Sequence, residues 1–117
     1  MEYKDIHIPV LEKEVVNYLN LKPGNTVFEG TLGGAGHTVA IIKAIAPTGK
    51  VIGVELDSQA ISSATINLKS KGLLDSVLII NDNFCNVTEI LKKLSIKKIN
   101  GFLLDLGLSS MQIELSE

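Results

Sequence analysis

Thr26-Val27-Phe28-Glu29-Gly30-Thr31-Leu32-Gly33-Gly34-Ala35-Gly36-His37 reads as a short apolar strand, a tight glycine-rich loop and the approach to a helix. β-branched and aromatic residues make Thr26 to Glu29 a strand. The four glycines from Gly30 to Gly36 exceed what a plain turn requires. They let backbone N–H groups come close to a ligand and supply turns with positive φ. The helix that follows, Thr38 to Ala46, is stopped by Pro47-Thr48-Gly49, and its start offers a positive dipole end. A strand feeding a helix through such a loop is the opening unit of a parallel α/β fold.

The flanking sequence repeats that alternation. Upstream, Pro9 is followed by Val10, Leu11, Val15, Val16 and Leu19, an imperfect helical stripe, and Pro23-Gly24-Asn25 is a turn cluster. Downstream, Val51 to Glu55 is a second strand. Ser58 is the expected cap of a helix whose apolar face is Ala60, Ile61, Ala64 and Leu68. Val77 to Ile80 is a third strand. Asn86 with Glu89 fits a capping box for a helix carrying Val87, Ile90, Leu91 and Leu94. Gly101 to Leu104 is a fourth strand, running into Asp105. Crossovers of this length make the strands parallel and right-handed. Apolar strands without alternation imply a sheet covered on both faces. The expectation is a Rossmann-like α/β fold whose ligand lies at the carboxyl ends of the strands. A fourth strand left open is an expected aggregation hazard.

A chain of 117 residues with 45% apolar and 21% charged residues builds one core, not a complete two-domain enzyme. All 11 cations are lysines and the net charge is -2, so a nucleic-acid partner would need much of its grip from elsewhere. The single cysteine, Cys85, suits a reducing compartment and is expected to be a small buried residue. The charged start Met1-Glu2-Tyr3-Lys4-Asp5 is unlike a signal peptide, and no apolar run approaches a membrane span; a cytoplasmic location is expected.

The strand ends hold the candidate site. The glycine loop lacks the last glycine of GxGxxG, and no GxxxxGK[ST] phosphate loop is present. A helix start without either signature fits a ligand with no pyrophosphate, such as S-adenosylmethionine, whose carboxylate can accept from backbone donors. Glu55 ends the second strand 22 residues past Gly33, a spacing at which an acid accepts ribose hydroxyls; it serves NAD and S-adenosylmethionine alike. Asp57 fits a helix-entry acid better. Asn81-Asp82-Asn83-Phe84 follows the third strand, where an acid or amide could reach an adenine amine. Phe84 is either a flat wall for adenine or a core residue. Asp105 can orient an attacking amine or hold the methionine end of the cofactor, or simply cap a loop. His37 faces the ligand or packs. No His/Cys/Asp spacing suggests a metal.

Taken together, these stretches resemble the MraW/RsmH family, whose bacterial members methylate the N4 amine of a cytidine in 16S ribosomal RNA. The likeness runs from His7-Ile8-Pro9-Val10-Leu11 through the loop Gly30 to His37, Asp57-Ser58-Gln59-Ala60-Ile61 and Phe84. It ends at Gly101 to Gln112, whose DLGxSSxQ motif is the most specific part. The resemblance implies an S-adenosylmethionine-dependent methyltransferase acting on the small ribosomal subunit. It places cofactor contacts on Gly33, Ala35, Gly36, His37, Glu55, Phe84, Asp105 and Gln112, with Asp105 also catalytic. The sequence departs from the family at Ala35 for Gly, at Glu29 and Glu55 for Asp, and at Met111 for Pro. Family members are considerably longer, so residues 1–117 are expected to be the N-terminal, cofactor-binding part, marginally stable and inactive alone. Two other readings stand beside this one: an inactive remnant or cofactor-binding module, and a nicotinamide-dependent oxidoreductase, against which the missing glycine argues.

Overall fold

The structure, a computed structural model, describes residues 16–32, 36–104, 107–109 and 113–114. The stripe beginning at Pro9 lies mostly outside them; residues 16–19 are helical (α1) and bury Leu19. A turn follows in which Gly24, at φ 88°, donates its N–H to Ile45 O at 2.9 Å. That positive φ is what glycine supplies here.

The elements then alternate as expected: β1 (Thr26–Glu29), α2 (Gly36–Ile45), β2 (Lys50–Glu55), α3 (Ser58–Ser70), β3 (Val77–Asn81), α4 (Val87–Lys93), β4 (Lys98–Ile99) and β5 (Gly101–Leu104). Two short strands close the chain, β6 (Gly107–Ser109) and β7 (Ile113–Glu114). The main sheet has the order β3-β2-β1-β5-β6. Its first four strands are parallel, with Val27 opposite Val51 and Gly101, and Ile52 opposite Leu78. The order reverses between β1 and β5, and that switch point is where a ligand crevice opens in sheets of this kind.

Successive residues of each strand feed opposite faces. Val27 and Val51 join Ile41, Ile42, Ile45, Ala64 and Leu68 beneath α2 and α3. Phe28, Ile52 and Val54 join Ile90, Leu91 and Ile99 on the α4 side. The sheet is therefore covered on both faces, which explains its lack of polar alternation.

Four local expectations are corrected. Asp57, not Ser58, caps α3: its Oδ1 accepts from Gln59 N at 2.9 Å, and Ser58 is already the first helical residue. No capping box forms at α4. The Asn86 amide instead donates to Asp82 Oδ1 at 2.8 Å, and no side-chain cap bond is made. Cys85 is exposed, because the turn that carries it is held through its backbone and leaves the thiol outside. The fourth parallel strand is not left bare: β6 pairs antiparallel with it, Leu103 opposite Leu108. β6 thus covers the edge of β5.

Candidate functional site

Hydrogen bonds carry the chain from β1 across the switch point. Gly30 N donates to Leu103 O at 2.8 Å, and Leu32 N donates to Val54 O at 2.9 Å. The loop is thus tied first to β5 and then to β2. The Leu32 side chain packs over Gly53, where a Cβ would come within 2.8 Å of Leu32 Cδ1.

Glu29, the last residue of β1, is only 2% exposed. Its two carboxylate oxygens accept from the Thr38 hydroxyl at 2.9 and 3.0 Å, and Thr38 is itself fully buried in the first turn of α2. Burial pushes the Glu29 pKa up to about 7, against a smaller lowering by the Thr38 hydrogen bond. The bond links the end of β1 to the start of α2 and closes the loop between them. Sequence reading did not single Glu29 out as a site residue. The available signal was an acid closing an otherwise apolar strand, with a hydroxyl residue nine positions on.

The predicted residues divide into two groups. Gly33, Ala35, Asp105 and Gln112 lie outside the described residues, and Gly36 is described only as the first residue of α2. His37, Glu55 and Phe84 all stand at the carboxyl end of the sheet. His37 is half-buried, and its Nδ1 is buried with no hydrogen-bond partner among the described residues. A buried polar atom of this kind calls for a partner.

Glu55 closes β2. Its Oε2 accepts from Asp57 N at 3.0 Å, which aims the carboxylate along the β2–α3 turn. Asn81 at the end of β3 donates its amide to Glu55 O and Leu56 O, at 3.0 and 3.1 Å, pinning the two strand ends together. Beyond it, Asp82 Oδ1 accepts from Asn83 N at 2.6 Å and from the Asn86 amide, and Asn83 Oδ1 accepts from Cys85 N at 2.9 Å. These bonds, with a weaker contribution from Lys93, hold the Asp82 carboxyl below the usual range; the Asn86 bond is the largest cause.

The turn Phe84–Asn86 presents a half-buried Phe84. It packs against the core on the α4 side and also flanks Gly30. A Cβ at position 30 would lie 2.9 Å from Phe84 Cβ and 2.3 Å from Leu104 Cδ2. Phe84 is therefore both a core contact and one wall at the switch point. Leu104 can swing away from an added methyl, but Phe84 is held by its turn. Overpacking of this kind costs about 1–3 kcal/mol. Gly30→Ala is therefore expected to weaken binding of a ligand seated against Phe84 by roughly tenfold. Calorimetric titration with S-adenosylmethionine measures this; an unchanged affinity would show that the ligand is not seated against Phe84.

Among the described residues, no group of three or more His, Cys, Asp or Glu side chains is placed to hold a metal ion, and no helix is long and apolar enough to cross a membrane.

Comparison with known proteins bears on what this arrangement serves. A family profile described as the MraW methylase family matches residues 4–117. The ribosomal RNA small subunit methyltransferase H of Lachnospira eligens is 42% identical over 114 residues, 97% of this chain and 35% of that protein. The protein of the same name in Clostridium botulinum is 40% identical over the same shares. The chain thus spans about a third of the length of these relatives. Among solved structures, a SAM-dependent O-methyltransferase from Thermotoga maritima superposes with a TM-score of 0.70 at 20% identity, over 82% of this chain and 34% of that one.

Proposed function

The chain belongs to the MraW methylase family, and on that premise we propose that it supplies the cofactor-binding half of an S-adenosylmethionine-dependent enzyme that methylates the N4 amine of a cytidine in small-subunit ribosomal RNA. One observation supports the reading: His37, Glu55 and Phe84 all stand at the carboxyl end of a sheet whose order reverses between β1 and β5. The family resemblance puts cofactor contacts on those same three residues. Two features fit the cofactor. The His37 Nδ1 lacks a partner among the described residues, and at Gly30 the Leu104 and Phe84 side chains come close enough to crowd any added side chain.

In this reading Glu55 accepts the ribose hydroxyls and Phe84 forms a flat apolar wall for the adenine. Backbone N–H groups from Gly33 to Gly36 take the methionine carboxylate at the start of α2. The bound cofactor supplies an electrophilic methyl on sulfonium sulfur. Asp105 accepts an N–H of the cytidine amine, orienting it and enriching a lone pair otherwise delocalised into the base. Residues 1–117 form the N-terminal part of the catalytic unit in this proposal. RNA recognition and the rest of the sheet fall to the part of the relatives that this chain does not match. A cytoplasmic location, where ribosomal RNA is processed, goes with the reading.

The test is calorimetric titration of the purified chain with S-adenosylmethionine and, separately, with NADH. Binding of the first alone is expected. Binding of NADH alone would overturn the proposal in favour of a nicotinamide enzyme. For the division of labour, the chain is expected to transfer no labelled methyl group to 16S RNA; transfer at rates typical of an enzyme would refute it.

A further inference from the structure

Charge is segregated between the two ends of the sheet. Parallel strands connected by returning helices gather every helix C-terminus and every strand start at the end opposite the cofactor crevice. Three helices finish there, on Lys43, on Lys69 with the C-cap Lys71, and on Lys92 with Lys93. The strands leave from Lys50 and, after Lys97, from Lys98. Lys22 precedes β1. These are all nine of the described lysines, and every one is exposed. Lys93 marks the flank, since it is near enough to Asp82 to contribute to lowering its pKa.

Few described carboxylates share that end. Asp75 sits just before β3, and Glu114 stands opposite Lys98 in the register of β4 and β7. Glu29, Glu55, Asp57, Asp82 and Glu89 all lie at the carboxyl ends of the strands or in the helix starts beside them.

A lysine in the last turn of a helix has a local reason, since it complements the helix dipole. That reason covers the helix-terminal lysines. It does not cover Lys22, Lys50, Lys97 and Lys98, which stand outside helices and extend the charge across the whole end. Six residues of β2 set the two ends about 20 Å apart. The Debye length is about 8 Å at physiological salt, so the acidic end does not cancel the basic one.

We propose that this lysine-rich end is a docking surface for the sugar–phosphate backbone of a folded RNA, gripping it remote from the base that is modified. The choice of RNA over other polyanions rests on the family reading above. Lysine serves as a point charge for phosphate and reads no base edge in a fixed geometry. The contact is therefore independent of sequence and sensitive to salt. It also bears on the difficulty raised by a net charge of -2: among the described residues the charge is polarised between the two ends.

The experiment compares the protein with a variant carrying Lys50→Gln, Lys69→Gln, Lys71→Gln and Lys92→Gln, all at exposed positions. Anisotropy of a labelled RNA hairpin is followed from about 50 to 300 mM KCl, a range in which phosphate contacts are strongly salt-dependent. The wild type is expected to bind with a steep salt dependence. The variant should lose roughly one unit of that slope per phosphate contact removed and bind about tenfold more weakly at 100 mM. The corresponding Lys→Arg variant should keep both slope and affinity. Equal slopes in wild type and Gln variant, or no wild-type binding at 50 mM, would overturn the proposal. So would lysine-dependent binding to anionic phosphatidylserine vesicles without RNA binding. S-adenosylmethionine titration of the same samples keeps the two readings apart. Intact cofactor binding with lost RNA binding in the Gln variant supports the docking surface. Absent cofactor binding in the wild type counts against the functional reading alone.

Discussion

Glu29→Gln is expected to raise stability at pH 8 by about 3 kcal/mol and to leave it nearly unchanged at pH 4. The Glu29 side chain is buried at the end of β1, and its pKa is raised from 4.5 to about 7, chiefly by desolvation. Between those values the folded state holds a proton that the unfolded state has released. Stability therefore falls as pH rises through that window and levels off above it. Below pH 4.5 the carboxyl is neutral in both states and costs nothing. Gln keeps an oxygen that accepts from the Thr38 hydroxyl and never ionises, so the pH dependence goes with the charge. Urea unfolding at pH 4, 6 and 8 measures it. A stability difference between wild type and variant that stays constant with pH would show that Glu29 is not the titrating group.

Phe28→Ala is expected to cost about 3–5 kcal/mol, a large part of the stability of a small domain. Phe28 is fully buried at the centre of the α4-side core. Its ring stacks on Phe102 with centroids 5.2 Å apart and planes 14° from parallel. Phe102, on the neighbouring β5, is only half-buried, so Phe102→Ala should cost less. Denaturant unfolding of both variants gives the order. A loss below about 1 kcal/mol for Phe28→Ala would contradict the packing of β1 against α4.

Much of the candidate site was legible before any coordinates, because its signals are local. Gly30 and the glycines after it mark a backbone that approaches something closely, and Glu55 closes an apolar strand at a characteristic spacing. Phe84 stayed ambiguous on the page. The structure places it on the α4-side core and against Gly30 at once, because the turn after β3 leads it there. The cap of α3 was misplaced by one residue, since Asp57 and Ser58 are both good caps and only the backbone conformation separates them. Asn86 was assigned to a capping box because its spacing to Glu89 allows one. A carboxylate four residues upstream competes for the same amide and wins.

By itself the sequence determined the alternation of strands and helices, the two covered faces of the sheet and the family. Hydrophobic period, turn chemistry and motif spacing are properties of neighbours along the chain, and they survive without coordinates. Only the tertiary structure decided that Glu29 is buried against Thr38, that Asn81 fastens β3 to Glu55, and that β6 covers the edge of β5. It alone gathered most of the lysines scattered from Lys22 to Lys98 toward one end, with Lys93 on the flank. Burial, pKa and surface charge depend on residues brought together through space, and the folding of parallel strands with returning helices is what brings them there.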